Sequence, residues 1–240
     1  MIDSWSWLTG SEPVTVTDAD RREVDIAGLT LPVRASVAIV AVTMLMLVDL
    51  SRVLLPADTL ALGRAPEAMR AVAIERALLF GLVPLAVVVI GFRDDPRRYG
   101  LTVGDWRAGL LLGGGGLAIM LPIVAWFSSL PDAGAFYAQS AAPLADLLVT
   151  NMLDLTASEF LFRGFLLWTL VRAMGPIGVL VAIMPFALAH VGKPDLEALS
   201  TVLGGLAYGW LAWRTRSIVW GSIAHVVIVT LATVMAAGTP

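Results

Sequence analysis

Cysteine is absent from this 240-residue sequence, so disulfides, thiolate metal ligands and a cysteine nucleophile are all excluded, while the compartment stays open. Charge is nearly as scarce. Only 15% of residues are charged against 58% hydrophobic, and the mean hydropathy is +0.84. A domain that folds in water carries roughly 25% charged residues, so almost none of this chain is built for water. The formal charge of −3 comes with no basic stripe, which argues against a nucleic-acid partner. No apolar run precedes Leu29, and the same stretch holds Asp3, Glu12, Asp18, Asp20, Glu23 and Asp25, a composition unlike a signal peptide.

Apolar runs of membrane-crossing length fill the rest. They predict helical spans near Ala35–Leu55, Ala71–Phe92, Ala108–Leu130, Pro143–Val171, Ile177–His190, Leu196–Trp213 and Ile218–Ala237, since the ~30 Å hydrocarbon core needs about 20 residues per crossing. The expected fold is therefore all-α: a polytopic transmembrane bundle of about seven spans, within a range of six to eight. Residues 1–33 read as a polar N-terminal arm, with Trp5 and Trp7 placed to rest at the membrane interface, and residues 34–240 as the transmembrane domain. The fourth run is longer than a bilayer requires and should tilt, bend or emerge. The fifth is short and contains Pro185, which removes a backbone donor.

Basic residues divide unevenly between the loops. Arg21, Arg22, Arg34, Arg93, Arg97, Arg98, Arg107, Arg172, Arg214 and Arg216 collect on one side, and Arg52, Arg64, Arg70 and Lys193 on the other, with Arg76 ambiguous. The positive-inside rule then puts the N-terminus in the cytoplasm; an odd number of spans puts Gly238, Thr239 and Pro240 on the far side. The Gly113–Gly116 run, with Gly204, Gly205 and Gly209, reads as small residues that let helices approach, because no strand and lysine flank it as a phosphate loop requires.

Ionisable residues inside apolar runs are costly in lipid and are functional candidates. Here they are Asp49, Glu75, Arg76, Asp146, Asp154, Glu159, Arg163, His190 and His225. Asp49, Glu75 and Arg76 read as helix-end charges that reach solvent. Glu159 and Arg163 stand four apart with the acid first, the order that pairs best on one helix face, and such a pair suits a fixed brace better than a proton shuttle. The only two histidines lie in separate late apolar runs and could converge with that pair on one polar pocket. Two imidazoles make a thin zinc site, because a catalytic zinc normally takes three protein ligands. Whether a metal binds is left open, and no organic cofactor is expected.

Ser158-Glu159-Phe160-Leu161-Phe162-Arg163-Gly164, then Phe186-Ala187-Leu188-Ala189-His190, then His225 beyond Trp213–Trp220 together resemble the CPBP family of intramembrane proteins. That family includes CAAX-prenyl endopeptidases and Abi-type bacteriocin self-immunity or processing proteins, and the resemblance covers about residues 98–232. Its motifs are Glu-Glu-x-x-x-Arg, Phe-x-x-x-His and His-x-x-x-Asn. The resemblance implies that Glu159 is the second Glu, paired with Arg163; that Phe186 and His190 are the second motif; and that His225 is the oxyanion-stabilising His of the third. The water-activating first Glu is replaced by Ser158 and the oxyanion Asn by Val229. A serine is a poor general base, and one lost oxyanion donor costs a factor of ~10²–10³. Asp154, one turn before Ser158 and on its face, is the candidate substitute, although a turn of about 5.4 Å is hard for a shorter side chain to bridge.

The expectation is a CPBP-like pseudoprotease of a bacterial-type cytoplasmic membrane, acting as an accessory or assembly subunit that binds a membrane protein partner. The alternative is an active CAAX-type endopeptidase cutting near the bilayer surface. A transporter is the weakest reading, because neither a repeat nor paired broken helices is visible.

Overall fold

A computed structural model describes residues 14–238; Trp5, Trp7, Thr239 and Pro240 lie outside the described residues. The polar arm is more structured than its composition implies. Strand β1 (Glu23–Ile26) pairs antiparallel with β2 (Leu29–Pro32), Glu23 opposite Pro32 and Ile26 opposite Leu29. Ala27 and Gly28 close the hairpin with φ of 52° and 84°, the two positive values that a two-residue turn needs to match strand twist. Strands of four residues are too short to show a convincing alternation, and Ala-Gly is a weaker turn signal than Asn-Gly.

Seven long helices then stand where the seven apolar runs lie: α1 (Val33–Ser51), α3 (Pro66–Gly91), α4 (Trp106–Ser128), α6 (residues 144–174), α7 (Ile177–Leu188), α8 (Asp195–Thr215) and α9 (Val219–Gly238). Two short helices, α2 (Ala57–Ala61) and α5 (Pro131–Ala138), cover one end of the bundle. Prolines mark several starts: Pro66 and Pro131 are each the first helical residue, where the missing N–H costs nothing. Asp105 caps α4, its carboxylate accepting from Ala108 N at 3.1 Å. Four helices, α1, α3, α4 and α9, are long and apolar enough to cross a bilayer. Exposed side chains such as Val40, Ile90, Ile119 and Leu203 give the bundle an apolar outer surface, and the chain is an integral membrane protein in contact with lipid.

Helix α6 is the axis of the bundle. Its residues 157–172 are all buried, including Glu159, Arg163 and Arg172, and a helix buried on every side is one that neighbours surround. It runs through a π-helical stretch, Phe160–Leu166, of the kind often found at functional sites. Phe80 of α3 and Phe186 of α7 meet Phe162 edge-on at 6.1 and 5.8 Å.

Glycine explains some close approaches and not others. A Cβ on Gly109 would overlap the Trp220 indole, and one on Gly178 would come within 2.6 Å of the Leu170 backbone, so α4 meets α9 and α7 meets α6 at these points. Around Gly114, Gly115, Gly116 and Gly204 a Cβ would meet nothing within 4 Å. The expectation that the whole Gly113–Gly116 run packs a neighbouring helix is thus corrected: three of its residues lie on an open face.

Candidate functional site

Glu159 stands mid-way along α6 and is 1% exposed. Its Oε1 accepts from Arg163 Nη1 at 3.2 Å and from His225 Nδ1 at 2.9 Å. The i,i+4 pair read from the sequence therefore forms, and α9 supplies the third member. Gly221, one turn before His225, permits this, because a Cβ there would sit 3.3 Å from Glu159 Oε2. Tyr208 of α8 stacks on the His225 ring with centroids 5.3 Å apart. Arg163 Nη2 finds no hydrogen-bond acceptor; the guanidinium instead lies 3.7 Å above the Phe186 ring centre, where the negative face of the ring offsets part of the charge.

His190 does not lie inside a helix as its apolar surroundings implied. It follows the end of α7, in a turn, with Nδ1 2.8 Å from the Phe186 carbonyl. A carbonyl only accepts, so Nδ1 carries the proton and Nε2 is left as an acceptor. Phe186 separates the two imidazoles, its ring centre 4.5 Å from that of His190 and 6.2 Å from that of His225.

Both histidines line one cavity of about 410 Å³, together with Asp154, Ser158, Phe162 and Val229. Glu159 and Arg163 sit behind its wall and do not line it. Position 158 is therefore the one from which a carboxylate would face the cavity, and a serine occupies it. The Ser158 hydroxyl is 3.4 Å from Asp154 Oδ1 as donor. Asp154 does face the same space, as one-turn spacing suggested, but its two oxygens also accept from Arg76 Nη1 at 3.0 and 3.2 Å.

That arginine opens a network the sequence reading missed. Arg76 also donates to both oxygens of Asp49, at 2.7 and 2.9 Å, and Arg52 bridges Asp49 at 2.9 Å to Glu75 at 3.2 Å. Asp49 and Glu75 are 2% and 5% exposed. The expectation that Asp49, Glu75 and Arg76 are solvent-reaching helix ends is overturned: α1, α3 and α6 pack together at this level, and opposite charges from the three helices pair with one another, with Glu75 Oε1 left without a hydrogen-bond partner among the described residues. Helix α3 begins at Pro66, five residues before the apolar run read from Ala71, so Glu75 and Arg76 lie more than a turn deeper than they seemed. The legible signal was one charged cluster per helix, of mixed sign, in three apolar segments. Asp146 lies apart, paired at 3.5 Å with Arg70 where both side chains are half exposed. Among the described residues no group of three or more His, Asp or Glu side chains is arranged to hold a metal ion.

With the motif residues gathered around one cavity, comparison with known proteins finds a match over part of the chain. Residues 140–231 match the family model of type II CAAX prenyl endopeptidase Rce1-like proteins. The Rce1-like segment begins just before α6 and ends within α9, and so carries Glu159, Arg163, His190 and His225, as the motif resemblance to CAAX prenyl endopeptidases implied. No curated protein and no solved structure matches the chain.

Proposed function

We propose that this Rce1-like protein binds a membrane partner and does not hydrolyse it. One observation carries the reading: every carboxylate at the cavity is already committed to a cation. Asp154 is held by Arg76 and Asp146 by Arg70, while Glu159, behind the wall, is held by Arg163 and His225. A general base must reach its water within about 2.6–3.2 Å and be free to take a proton. Ser158 leaves the cavity without such a group beside His190. Val229, which also lines the cavity, has no donor to offer a developing oxyanion.

What remains is a binding chamber with a braced back wall. The partner is a membrane protein that presents a segment to this chamber; the reading takes the membrane to be a bacterial-type inner membrane, and the Arg-rich loops support an N-terminal arm on its cytoplasmic side. Purification from the native membrane in a gentle detergent, with mass spectrometry of co-purifying chains, tests this. A stoichiometric partner supports the accessory role, and a clean monomer that cleaves peptides defeats it. The endopeptidase reading rests on the free Nε2 of His190 and the presence of Asp154 in the same cavity; it requires Asp154 to leave Arg76 when substrate binds.

A further inference from the structure

The cavity wall carries five cationic side chains, Arg52, Arg64, Arg70, Arg76 and Lys193. Four have a carboxylate partner: Arg52 with Asp49 and Glu75, Arg70 with Asp146, Arg76 with Asp49 and Asp154, and Lys193 with Glu197 at 2.8 Å. Arg64 has none within ion-pair distance among the described residues. Its guanidinium carbon lies over the Phe136 ring, 3.7 Å from the centroid, and Nε donates to the Phe136 carbonyl at 3.3 Å. Four of its five N–H donors are left unused. The two acids nearest in influence, Glu197 and Asp154, are spent on Lys193, Tyr137 and Arg76.

The surroundings of Arg64 define what would use those donors. It stands in the loop between α2 and α3, at the end of the bundle. The lining of the same cavity includes Leu50, Leu55, Leu60 and Met69, from the end of α1 to the first turn of α3, of which Leu50 and Leu60 are 51% and 43% exposed and form an apolar rim. A planar guanidinium matches an anion with two adjacent oxygens, and an apolar rim at the end of membrane helices matches the start of an acyl chain.

We propose that Arg64 holds the phosphate of an anionic membrane lipid, with the lipid's first methylenes lying over the leucine rim. The phosphate fills the unused fork of the guanidinium, which the Phe136 ring and carbonyl hold in place. The lipid thereby occupies the mouth of the cavity next to His190 and must be displaced, or shared, when a partner segment enters. This rests on the cavity being a binding chamber, yet its readout does not involve peptide hydrolysis. Hydrolysis by the wild type would overturn the chamber reading, whereas the lipid site stands or falls on Arg64.

The test uses the full chain purified in a neutral detergent and exchanged with dioleoyl-phosphatidylglycerol, dioleoylglycerol or inorganic phosphate, with bound lipid counted by native mass spectrometry and stability followed by thermal melting. The wild type should retain phosphatidylglycerol at least 10-fold more than dioleoylglycerol. Arg64→Gln should lose that preference, Arg64→Lys should keep part of it, and Arg97→Gln, at the opposite end, should keep all of it. Equal retention by the wild type and Arg64→Gln overturns the proposal. So does stabilisation by inorganic phosphate alone equal to that by phosphatidylglycerol, since the rim would then contribute nothing. If Arg64→Gln fails to fold, the wild-type preference together with the Arg64→Lys result decides.

Discussion

Two ion-pair clusters, one at each end of the bundle, use the same residue types to opposite effect. At the arm end, Asp20 accepts from Arg34 and Arg98, each at 2.7 Å, and lies 3.4 Å from Arg172, while Asp94 takes Arg34 at 2.8 Å and Arg98 at 2.5 Å. This ties the loop before β1 to α1, to the α3–α4 loop and to the end of α6. It closes its end. The cavity-end cluster of Asp49, Glu75 and Asp154 with Arg52 and Arg76 also joins three helices, but Asp154 and Arg76 stand at the edge of open space. There the same pairing lines a space and engages the Asp154 carboxylate that faces it. Pairing of buried charge thus braces both ends; on the proposed reading it also withholds a carboxylate from the cavity at one of them.

The contrast can be broken most forcefully at Arg76. Replacing it by Met strands Asp154 and leaves Asp49 with Arg52 alone, and losing one partner of a buried pair costs about 3–5 kcal/mol, so a large fall in apparent melting temperature is expected in detergent. The triple variant Arg76→Met, Asp49→Asn, Asp154→Asn should recover much of that loss, because no uncompensated charge remains. Melting points that stay put in the single variant would remove the brace from this account.

At the other end, Asp20→Asn should cost about 3 kcal/mol by the same reasoning. It should also free the hairpin, raising hydrogen exchange across Glu23–Ile26 and Leu29–Pro32 while residues 157–172 stay protected. Exchange that rises equally everywhere would mean that the arm is no separate clamp.

Acid should reach the arm first. Burial pushes the Asp20 carboxyl up, but the Thr17 backbone N–H, Arg98, the Thr17 hydroxyl and Arg34 more than reverse this and leave it well below the ordinary carboxylate range; Asp94 is lowered too, burial again being outweighed by Arg98 and the Asp95 N–H. A carboxyl lowered in the folded state binds fewer protons there than when unfolded, so its stabilisation is complete above the ordinary value of ~3.9. It fades as pH falls below that toward the folded value. Hairpin protection, taken relative to the intrinsic exchange rate at each pH, should therefore be flat from pH 7 to 5 and fall only below about pH 4. A loss of protection centred near neutrality would contradict the assignment. The smallest effect belongs to Arg70→Gln: with both partners half exposed and screened, the bridge to Asp146 should contribute less than about 1 kcal/mol.

Much of this was legible before any coordinates. Apolar runs located the seven helices because apolar side chains persist along each of them, and the motif residues on α6, just beyond α7 and on α9 could be named because motif spacing survives in a linear sequence. Depth was not legible. Asp49 lies in the last turn of α1 yet is buried, since exposure at a helix end depends on which neighbours pack over it. Nor could spacing show that Glu159 lies behind the cavity wall while Ser158 and Asp154 face the cavity, because that depends on how α6 is rotated against α3 and α9.

The central claim, that this cavity binds without cutting, is tested most directly by incubating purified wild type and His190→Ala with a prenylated CAAX peptide and resolving the products by mass spectrometry. Indistinguishable background rates are predicted; cleavage by the wild type that His190→Ala abolishes would contradict the account.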